Sequence, residues 1–234
     1  MTQEKIGNMR IILGDCLEVI PSLVKKGVKV DSIITDPPYG IDYQSSRKID
    51  KSKRLQKIRN DKKPFLEFIE PAYNILKDGG SFLCFTRWDV QQVFIDEIER
   101  VGFKVKNEII WDKVIHGMGD LGGSFSPQHE NIIFATKGNF KFPNKRPPSV
   151  LRFKRVSPDK LRHPNEKPRQ LLEFLIEATT SKDDLVLDCF LGSGVCADAS
   201  DETNRKFIGI EIDEHWYSPT VKFLKREKPY KLFK

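Results

Sequence analysis

The chain has 234 residues, of which 38% are hydrophobic and 31% charged, and its formal net charge is +7. This is the composition of an ordinary globular protein, and the length suits one domain with a large core. The positive charge favours a polyanionic partner such as nucleic acid. No apolar run approaches the roughly 20 residues that span a bilayer, and no apolar signal segment follows the amino terminus, so we expect a cytoplasmic protein without a membrane partner.

The predicted elements alternate between short apolar runs and amphipathic segments. In order they are strand 10–14, helix 15–25, strand 30–35, helix 65–76, strand 81–85, helix 90–101, strands 104–111 and 131–136, helix 169–179, strand 185–188, helix 195–201, strand 207–212 and helix 214–225. About seven strands with helices between most of them predict an α/β domain with a mostly parallel sheet. Such sheets bind ligands at the carboxyl ends of their strands, where Asp15, Asp36, Asp188 and Glu211 are expected.

The four cysteines, Cys16, Cys84, Cys189 and Cys196, stand singly among apolar neighbours. Their spacing is not that of a zinc site or a disulfide framework. We therefore predict small core residues and no metal site.

One candidate site is the segment 187–194, which reads Leu-Asp-Cys-Phe-Leu-Gly-Ser-Gly. It predicts a strand, a glycine turn and a helix whose first N–H groups are free to bind a carboxylate or phosphate. Glu211 ends the next strand, about 20 residues later, where nucleotide-binding sheets place a carboxylate for ribose hydroxyls. An ordinary strand-to-helix turn is the alternative interpretation.

A second candidate site is the tetrapeptide Asp36-Pro37-Pro38-Tyr39. Two prolines make a stiff turn without two N–H donors, so the Asp36 carboxylate and the Pro37 carbonyl can both act as acceptors beside an aromatic ring. Such acceptors suit the two hydrogens of an exocyclic base amine and favour its attack on a methyl sulfonium, with no covalent enzyme intermediate. A plain proline turn is the alternative.

A third segment, His163-Pro164-Asn165-Glu166-Lys167-Pro168, offers a lysine for a ligand carboxylate, or is a solvated loop. The order of the three motifs resembles the β-class S-adenosylmethionine-dependent DNA amino-methyltransferases. In that family the tetrapeptide precedes the cofactor motif, a circular permutation of the Rossmann-like class I methyltransferase fold. The resemblance runs from Asp15 to Glu211. It implies one catalytic domain over residues 1–234 that methylates N6 of adenine in double-stranded DNA.

The resemblance also implies the site residues. Asp15 and the Cys16 backbone would bind the cofactor's adenine amine, Glu211 its ribose and Ile212 its adenine ring. His163 and Lys167 would lie near its methionine end. Asp36 and the Pro37 carbonyl would grip the target amine, and Tyr39 would stack on the target base. The implied cofactor residues are Asp15, Cys16, Asp36, His163, Lys167, Asp188, Phe190, Gly192, Ser193, Gly194, Glu211 and Ile212, and the implied catalytic residues are Asp36, Pro37, Pro38 and Tyr39.

Three segments outside the predicted core are expected to serve DNA recognition. Residues 41–63 are strongly basic, residues 115–126 are glycine-rich, and residues 138–162 are basic and proline-rich. Because a base inside a duplex cannot reach such a site, the target nucleotide should flip out while the basic segments follow phosphates. The expected DNA contacts are Arg47, Lys48, Lys51, Lys53, Arg54, Arg152, Lys154 and Arg155.

Some positions match the family less closely or without an assigned role. Cys189 stands where proline is usual, Val195 where threonine is usual, and Asn165-Glu166 where Thr-Gln is frequent. Val195 lacks a hydroxyl near the cofactor turn, and Glu166 adds a negative charge. The segments 111–113 (Trp-Asp-Lys) and 129–131 (His-Glu-Asn) also resemble family positions.

Several alternatives stay open. Methylation of cytosine N4 is the nearest, because the cytosine enzymes begin the tetrapeptide more often with serine, although the correlation is imperfect. An RNA or protein methyltransferase is less favoured, since those enzymes usually begin it with asparagine and run the motifs in the opposite order. Carbon-5 methylation of cytosine needs a cysteine nucleophile, typically after proline, and no cysteine here follows proline. A non-catalytic DNA-binding module conflicts with the intact Asp36, Tyr39 and Asp188. A homodimer and a restriction endonuclease on another chain are open as partners.

Overall fold

The computed structural model describes residues 2–40, 63–117, 119 and 122–226. Its strands are β1 (Thr2–Ile6), β2 (Met9–Leu13), β3 (Val30–Thr35), β4 (Leu76–Thr86), β5 (Lys104–Asp112), β6 (His129–Thr136), β7 (Val150–Arg152), β8 (Leu185–Asp188) and β9 (Lys206–Glu211). Its helices are α1 (Cys16–Lys25), α2 (Ile69–Ile75), α3 (Gln91–Val101), α4 (Arg169–Thr179), α5 (Val195–Glu202) and α6 (Glu214–Leu224).

The described strands form one nine-stranded sheet in the order β1-β2-β9-β8-β3-β4-β6-β5-β7. Only β1 and β6 run against the others, because β1 is antiparallel to β2 and β6 is antiparallel to both β4 and β5. The prediction of a mostly parallel α/β sheet is therefore confirmed. The carboxyl ends of β2, β9, β8 and β3, which are neighbours in the sheet, consequently lie along one edge.

Two strands were missed by the prediction of about seven. β1 is a polar edge strand with mostly exposed residues, so it carries no hydrophobic alternation. β7 has three residues inside the basic, proline-rich segment and pairs only with β5. Both lie at the ends of the sheet, where pairing on one side suffices and little apolar surface is buried.

The predicted helix 65–76 was too long, because α2 begins only at Ile69. The N–H of Phe65 donates to the Pro38 carbonyl at 3.1 Å, and Pro64 forms a bridge with Tyr39, so this stretch is tied to the tetrapeptide. The predicted glycine stop at its end was also wrong. Gly79 lies inside β4, and its N–H donates to the Lys137 carbonyl at 2.8 Å.

The central strands are buried on both faces. Successive residues of β4, β8 and β9 point to opposite sides of the sheet, and nearly all of them are buried. Helices α1, α2 and α3 pack in sequence against one another, and α4 packs against α5. The four cysteines are buried free thiols, as predicted.

Within the described ranges, none of the helices combines the length and apolar character that a membrane span requires. Nor do the described His, Cys, Asp and Glu side chains gather into a group that could hold a metal ion.

Candidate active site

One cavity opens at the carboxyl edge of the sheet, above β2, β9, β8 and β3. Its walls include every residue that the sequence analysis assigned to cofactor or catalysis except Gly194, which lies directly behind the turn. The predicted residues that line it are Asp15, Cys16, Asp36, Pro37, Pro38, Tyr39, His163, Lys167, Asp188, Phe190, Gly192, Ser193, Glu211 and Ile212. The fold thus brings together three motifs that are far apart in the chain.

Glu211 and the glycine turn hold each other in place. The two Glu211 carboxylate oxygens accept from the N–H groups of Gly192 and Asp213, each at 2.9 Å, and the Thr220 hydroxyl donates to the Gly192 carbonyl at 2.7 Å. Gly194 caps α5 in the left-handed region with φ of 73°, and a Cβ there would lie 2.5 Å from Thr220 Cγ2. The turn therefore requires glycine at position 194.

Asp188 is a buried carboxyl group at the end of β8. It accepts from the Thr35 hydroxyl at 3.2 Å and from the Phe190 N–H at 3.0 Å. Burial raises the pKa of Asp188 to about 7, although both hydrogen bonds oppose that rise. The Phe190 ring packs edge-on against Phe65 and Phe68, which gives the cavity an apolar wall.

Asp15 and Ile212 also line the cavity. Asp15 is the N-cap of α1, and its carboxylate accepts from the Leu17 N–H at 2.8 Å. Burial raises the pKa of the neighbouring Cys16 thiol to about 12, so it stays protonated. Ile212 is 38% exposed although it follows a buried strand, so an apolar side chain faces the opening.

The tetrapeptide turn is held more tightly than its sequence indicates. Tyr39 is only 6% exposed, its ring meets Phe94 edge-on, and its hydroxyl donates to Asp36 Oδ1. The sequence predicts a free aromatic face for stacking at this position. In the structure the tyrosine supports the Asp36 carboxylate as well as lining the cavity.

Lys167 does not stand free for a ligand carboxylate as the motif suggested. Its ammonium lies 2.7 Å from Asp36 Oδ2 and 3.1 Å from Glu130 Oε2, and Glu130 Oε1 lies 2.6 Å from Lys113 Nζ. Burial raises the pKa of the Asp36 carboxyl, whereas the Lys167 ammonium lowers it. The same ammonium, with Lys113, brings the pKa of Glu130 below its ordinary value despite burial. These four side chains form a charge network of alternating sign.

His163 lies against the glycine turn and is held neutral. Its ring centre is 4.4 Å from that of Trp216, and burial, reinforced by the Lys167 charge, lowers its pKa to about 4. The Glu166 carboxylate is paired within its own loop. It accepts from the backbone N–H of Arg162 at 2.8 Å and forms an ion pair with the Arg162 guanidinium. Glu166 thus orders the loop that carries His163 and Lys167.

The basic residues expected to contact DNA fall into two groups. Arg47, Lys48, Lys51, Lys53 and Arg54 lie outside the described residues. Arg152 ends β7 at the same edge of the sheet as Asp36, is exposed, and pairs with Asp112 at 2.9 Å. Lys154 is exposed nearby and Arg155 is half-buried.

Glu130 and Lys113 lie in the segments 129–131 and 111–113, which resemble family positions, but sequence reasoning gave neither residue a role. Their signal was their position, since Lys113 follows β5 and Glu130 is the second residue of β6, which enters the sheet at that same edge. A charged pair beside two predicted strand ends could have been singled out, but nothing local indicated that it reaches Asp36.

Comparison with known proteins decides the family. The model of the DNA methylase family N6_N4_Mtase matches residues 30–222. The chain belongs to this family. The protein YubD of Escherichia coli (strain K12) is 31% identical to this methylase over 212 residues, covering 89% of this chain and 86% of YubD. The Type II methyltransferase M.HpaI of Haemophilus parainfluenzae is 28% identical over 239 residues, covering 89% and 72%.

Solved structures agree with the family. The complex of M1.HpyAVI with SAM superposes with a TM-score of 0.70 at 26% identity, covering 92% of this methylase and 99% of that chain. The cytosine-N4-specific PvuII DNA methyltransferase shares the fold with a TM-score of 0.73 at 18% identity, covering 97% of this methylase and 89% of that chain. This methylase is therefore a DNA amino-methyltransferase with the class I fold, and its cofactor is S-adenosylmethionine.

The residues of the cavity fit that cofactor. S-adenosylmethionine carries an amino group, a positive sulfur, a ribose diol and an apolar-faced purine. The cavity offers carboxylates for the polar groups, a glycine turn beside a helix N-terminus, and apolar side chains at Phe190 and Ile212. The Glu211 and Asp188 carboxylates keep lone pairs beyond those used by the protein.

Proposed function

We propose that this methylase transfers a methyl group from S-adenosylmethionine to the N6 amine of adenine in double-stranded DNA. The observation that supports it best is Asp36, an acceptor at the end of β3 that shares one cavity with Asp188 and Glu211. S-adenosylmethionine supplies a methyl group on a positively charged sulfur. The protein has to hold that group, present an amine nitrogen to it and exclude water.

In this proposal the cofactor lies along the strand ends. Glu211 accepts from the ribose hydroxyls, Asp15 and the Cys16 backbone receive the adenine amine, and Ile212 covers the adenine ring. The wall around the methionine part consists of Asp188, Phe190, Gly192, Ser193 and Gly194, with His163 and Lys167 nearby. A neutral His163 suits this role, because it adds no positive charge beside a sulfonium.

Asp36 and the Pro37 carbonyl would accept the two hydrogens of the target amine. These hydrogen bonds favour a lone pair localised on the nitrogen, and the carboxylate stabilises the positive charge that grows there. As the nitrogen–methyl bond forms, the methyl–sulfur bond breaks with its electron pair left on sulfur, and the nitrogen releases one proton along its hydrogen bond to Asp36. Pro38 keeps the turn rigid, since its carbonyl already accepts from Phe65. Tyr39 holds the Asp36 carboxylate by its hydroxyl and presents its ring to the flipped base.

Adenine is favoured over cytosine by the aspartate that begins the tetrapeptide. The experiment uses tritiated S-adenosylmethionine, the purified protein and mixed-sequence duplex DNA, followed by nucleoside analysis. We expect label in N6-methyladenine. Label in N4-methylcytosine would keep the mechanism and overturn the base. In parallel reactions with RNA or a protein extract in place of DNA, label there and none in DNA would overturn the substrate. Bound cofactor with no label in any of these reactions would indicate a non-catalytic DNA-binding module.

DNA contact is proposed for residues 138–162, with Arg152, Lys154 and Arg155, and for residues 41–63 and 115–126. Each phosphate contact adds about one unit to the steepness with which the logarithm of the DNA-binding constant falls against the logarithm of the salt concentration. An Arg152→Ala, Lys154→Ala double variant should weaken DNA binding about tenfold at low salt and reduce that slope by about two. Lys182→Ala is the matched control, because Lys182 is exposed and precedes β8 at the opposite edge. An unchanged slope in the double variant would contradict the assignment.

The cellular context belongs to the same proposal. The Type II names of relatives such as M.HpaI support a separate restriction endonuclease as functional counterpart. The cytoplasmic site of action is proposed from the sequence. A homodimer is proposed from the family resemblance, and light scattering of the purified protein measures it directly.

A further inference from the structure

We propose that Glu130 is a positioning residue that shares the Lys167 ammonium with Asp36 and thereby keeps the Asp36 carboxylate a strong acceptor for the target amine. This inference rests on the proposed function and adds to it a residue outside the three motifs. It assigns Lys113 a supporting role, because Lys113 holds Glu130 from the other side.

The geometry is a relay of three ion pairs. Lys113 contacts one Glu130 oxygen at 2.6 Å, the other Glu130 oxygen lies 3.1 Å from Lys167, and Lys167 contacts Asp36 at 2.7 Å. The side chains come from the end of β5, the start of β6, the loop before α4 and the end of β3. Two positive and two negative charges alternate along the chain of contacts, so the network is neutral.

Partial burial strengthens the electrostatic interactions in this network. The Lys167 side chain is 8% exposed, and those of Glu130, Lys113 and Asp36 are 21%, 19% and 20% exposed. The Lys167 ammonium also lies 5.0 Å from the centre of the Phe85 ring. Water therefore screens the pairs only partly, and each carboxylate responds to how strongly the other competes for the same ammonium.

The consequence for Asp36 follows from that competition. If Lys167 had only Asp36 as a partner, its full charge would draw electron density from the carboxylate that must accept the amine hydrogens. Glu130 takes part of that charge. In agreement, Lys167 lowers and Glu130 raises the pKa of Asp36. The other titratable groups that face Asp36 are Tyr39 in its own turn, Asp188 on β8 and Cys84 on β4.

The test compares two substitutions with opposite expectations. Glu130→Gln keeps the shape of the side chain and removes its charge, so Lys167 turns wholly to Asp36. The single-turnover rate at saturating cofactor and DNA should fall roughly ten- to a hundredfold, as for loss of a hydrogen bond to a charged group. Cofactor and DNA affinities should stay within about twofold, since Glu130 contacts neither in the proposal. The acid limb of the rate–pH profile should move to lower pH.

Lys113→Gln removes the outer cation and leaves Glu130 to compete more strongly for Lys167. The acid limb should then move to higher pH. A merely structural role would not shift the limb in opposite directions for the two variants. Glu97→Gln is the matched control, because Glu97 forms a 2.7 Å ion pair with Arg100 on the exposed face of α3.

The possible outcomes distinguish failure of this inference from failure of the proposed function. An unshifted acid limb in both variants, whether or not the rate falls, would overturn the role of Glu130. Shifts in the same direction would do so as well. If Glu130→Gln does not fold, Lys113→Gln alone decides by the direction of its shift. If an Asp36 variant loses methyl transfer while the acid limb stays in place in the Glu130 and Lys113 variants, the proposed function stands and only the role of Glu130 is overturned. An Asp36 variant of full activity would overturn both the proposed function and the role of Glu130.

Discussion

Replacing Asp36 by asparagine examines the central group of the site with little change of shape. The carboxylate uses one oxygen for the Tyr39 hydroxyl and the other for Lys167 at 2.7 Å, and each oxygen keeps a lone pair toward the cavity. In the asparagine variant the carbonyl oxygen will face the Lys167 ammonium, because an NH2 group would be repelled by it. The NH2 group then takes the place of Oδ1 beside the Tyr39 hydroxyl, so the site loses the lone pair of that oxygen and the negative charge of the carboxylate.

The expected loss follows from this geometry. Removing one preorganised electrostatic partner of a transition state typically costs ~10²–10³-fold in kcat, or about 3–4 kcal/mol. Cofactor affinity should change by less than about threefold, because Asp188, Glu211 and Asp15 are untouched. The stability loss should be smaller than the about 3–5 kcal/mol for breaking a buried ion pair, since Lys167 retains Glu130 and gains a carbonyl acceptor.

The assay measures single-turnover transfer of tritium from S-adenosylmethionine to DNA, beside equilibrium binding of the cofactor by calorimetry. Urea titration checks that the variant is folded. Turnover within about fivefold of wild type would refute the role of Asp36 as acceptor. A loss of cofactor affinity as large as the loss of rate would refute the division of the cavity into a cofactor half and a target half.

Three further predictions concern the cofactor half. Glu211→Gln should weaken S-adenosylmethionine binding ten- to a hundredfold by calorimetry and leave the saturated rate within a few-fold, because an amide nitrogen replaces one of two acceptors. A buried Asp188 whose pKa is about 7, above an ordinary 3.8, contributes most stability below about pH 4 and loses it as pH rises toward 7. The free energy of unfolding of Asp188→Asn should therefore rise relative to that of wild type by up to roughly 4 kcal/mol between about pH 4 and pH 7, measured by urea titration without cofactor. A difference that does not change with pH would contradict the burial argument. Gly194→Ala should lose more unfolding free energy than Gly27→Ala. Both glycines have positive φ, but only at position 194 would a Cβ meet the Thr220 side chain. Equal losses in the two variants would mean that backbone strain alone matters.

The elements of the fold could be predicted where burial imposes a regular pattern. The strands that precede Asp36, Asp188 and Glu211 are apolar runs bounded by turn residues, so their ends could be read directly, and with them the acids that meet at the carboxyl edge. β1 and β7 escaped the prediction because edge strands bury too little to carry such a pattern. The start of α2 escaped because Phe65 bonds to Pro38, a contact that helix periodicity does not report.

The sequence by itself determined the motifs, their order and the chemistry they can support, because the residue types within each motif are neighbours along the chain. Only the tertiary structure decided which charges pair. Lys167 and Asp36 are 131 positions apart, and Thr35 and Asp188 are 153 apart, so their contacts depend on the order of strands in the sheet. The contact between Lys167 and Glu130 has the same origin, whereas the hydrogen bond between Tyr39 and Asp36 lies within one turn. Burial leaves each charged group the partner that the fold places nearest, and that partner is not encoded in its local sequence.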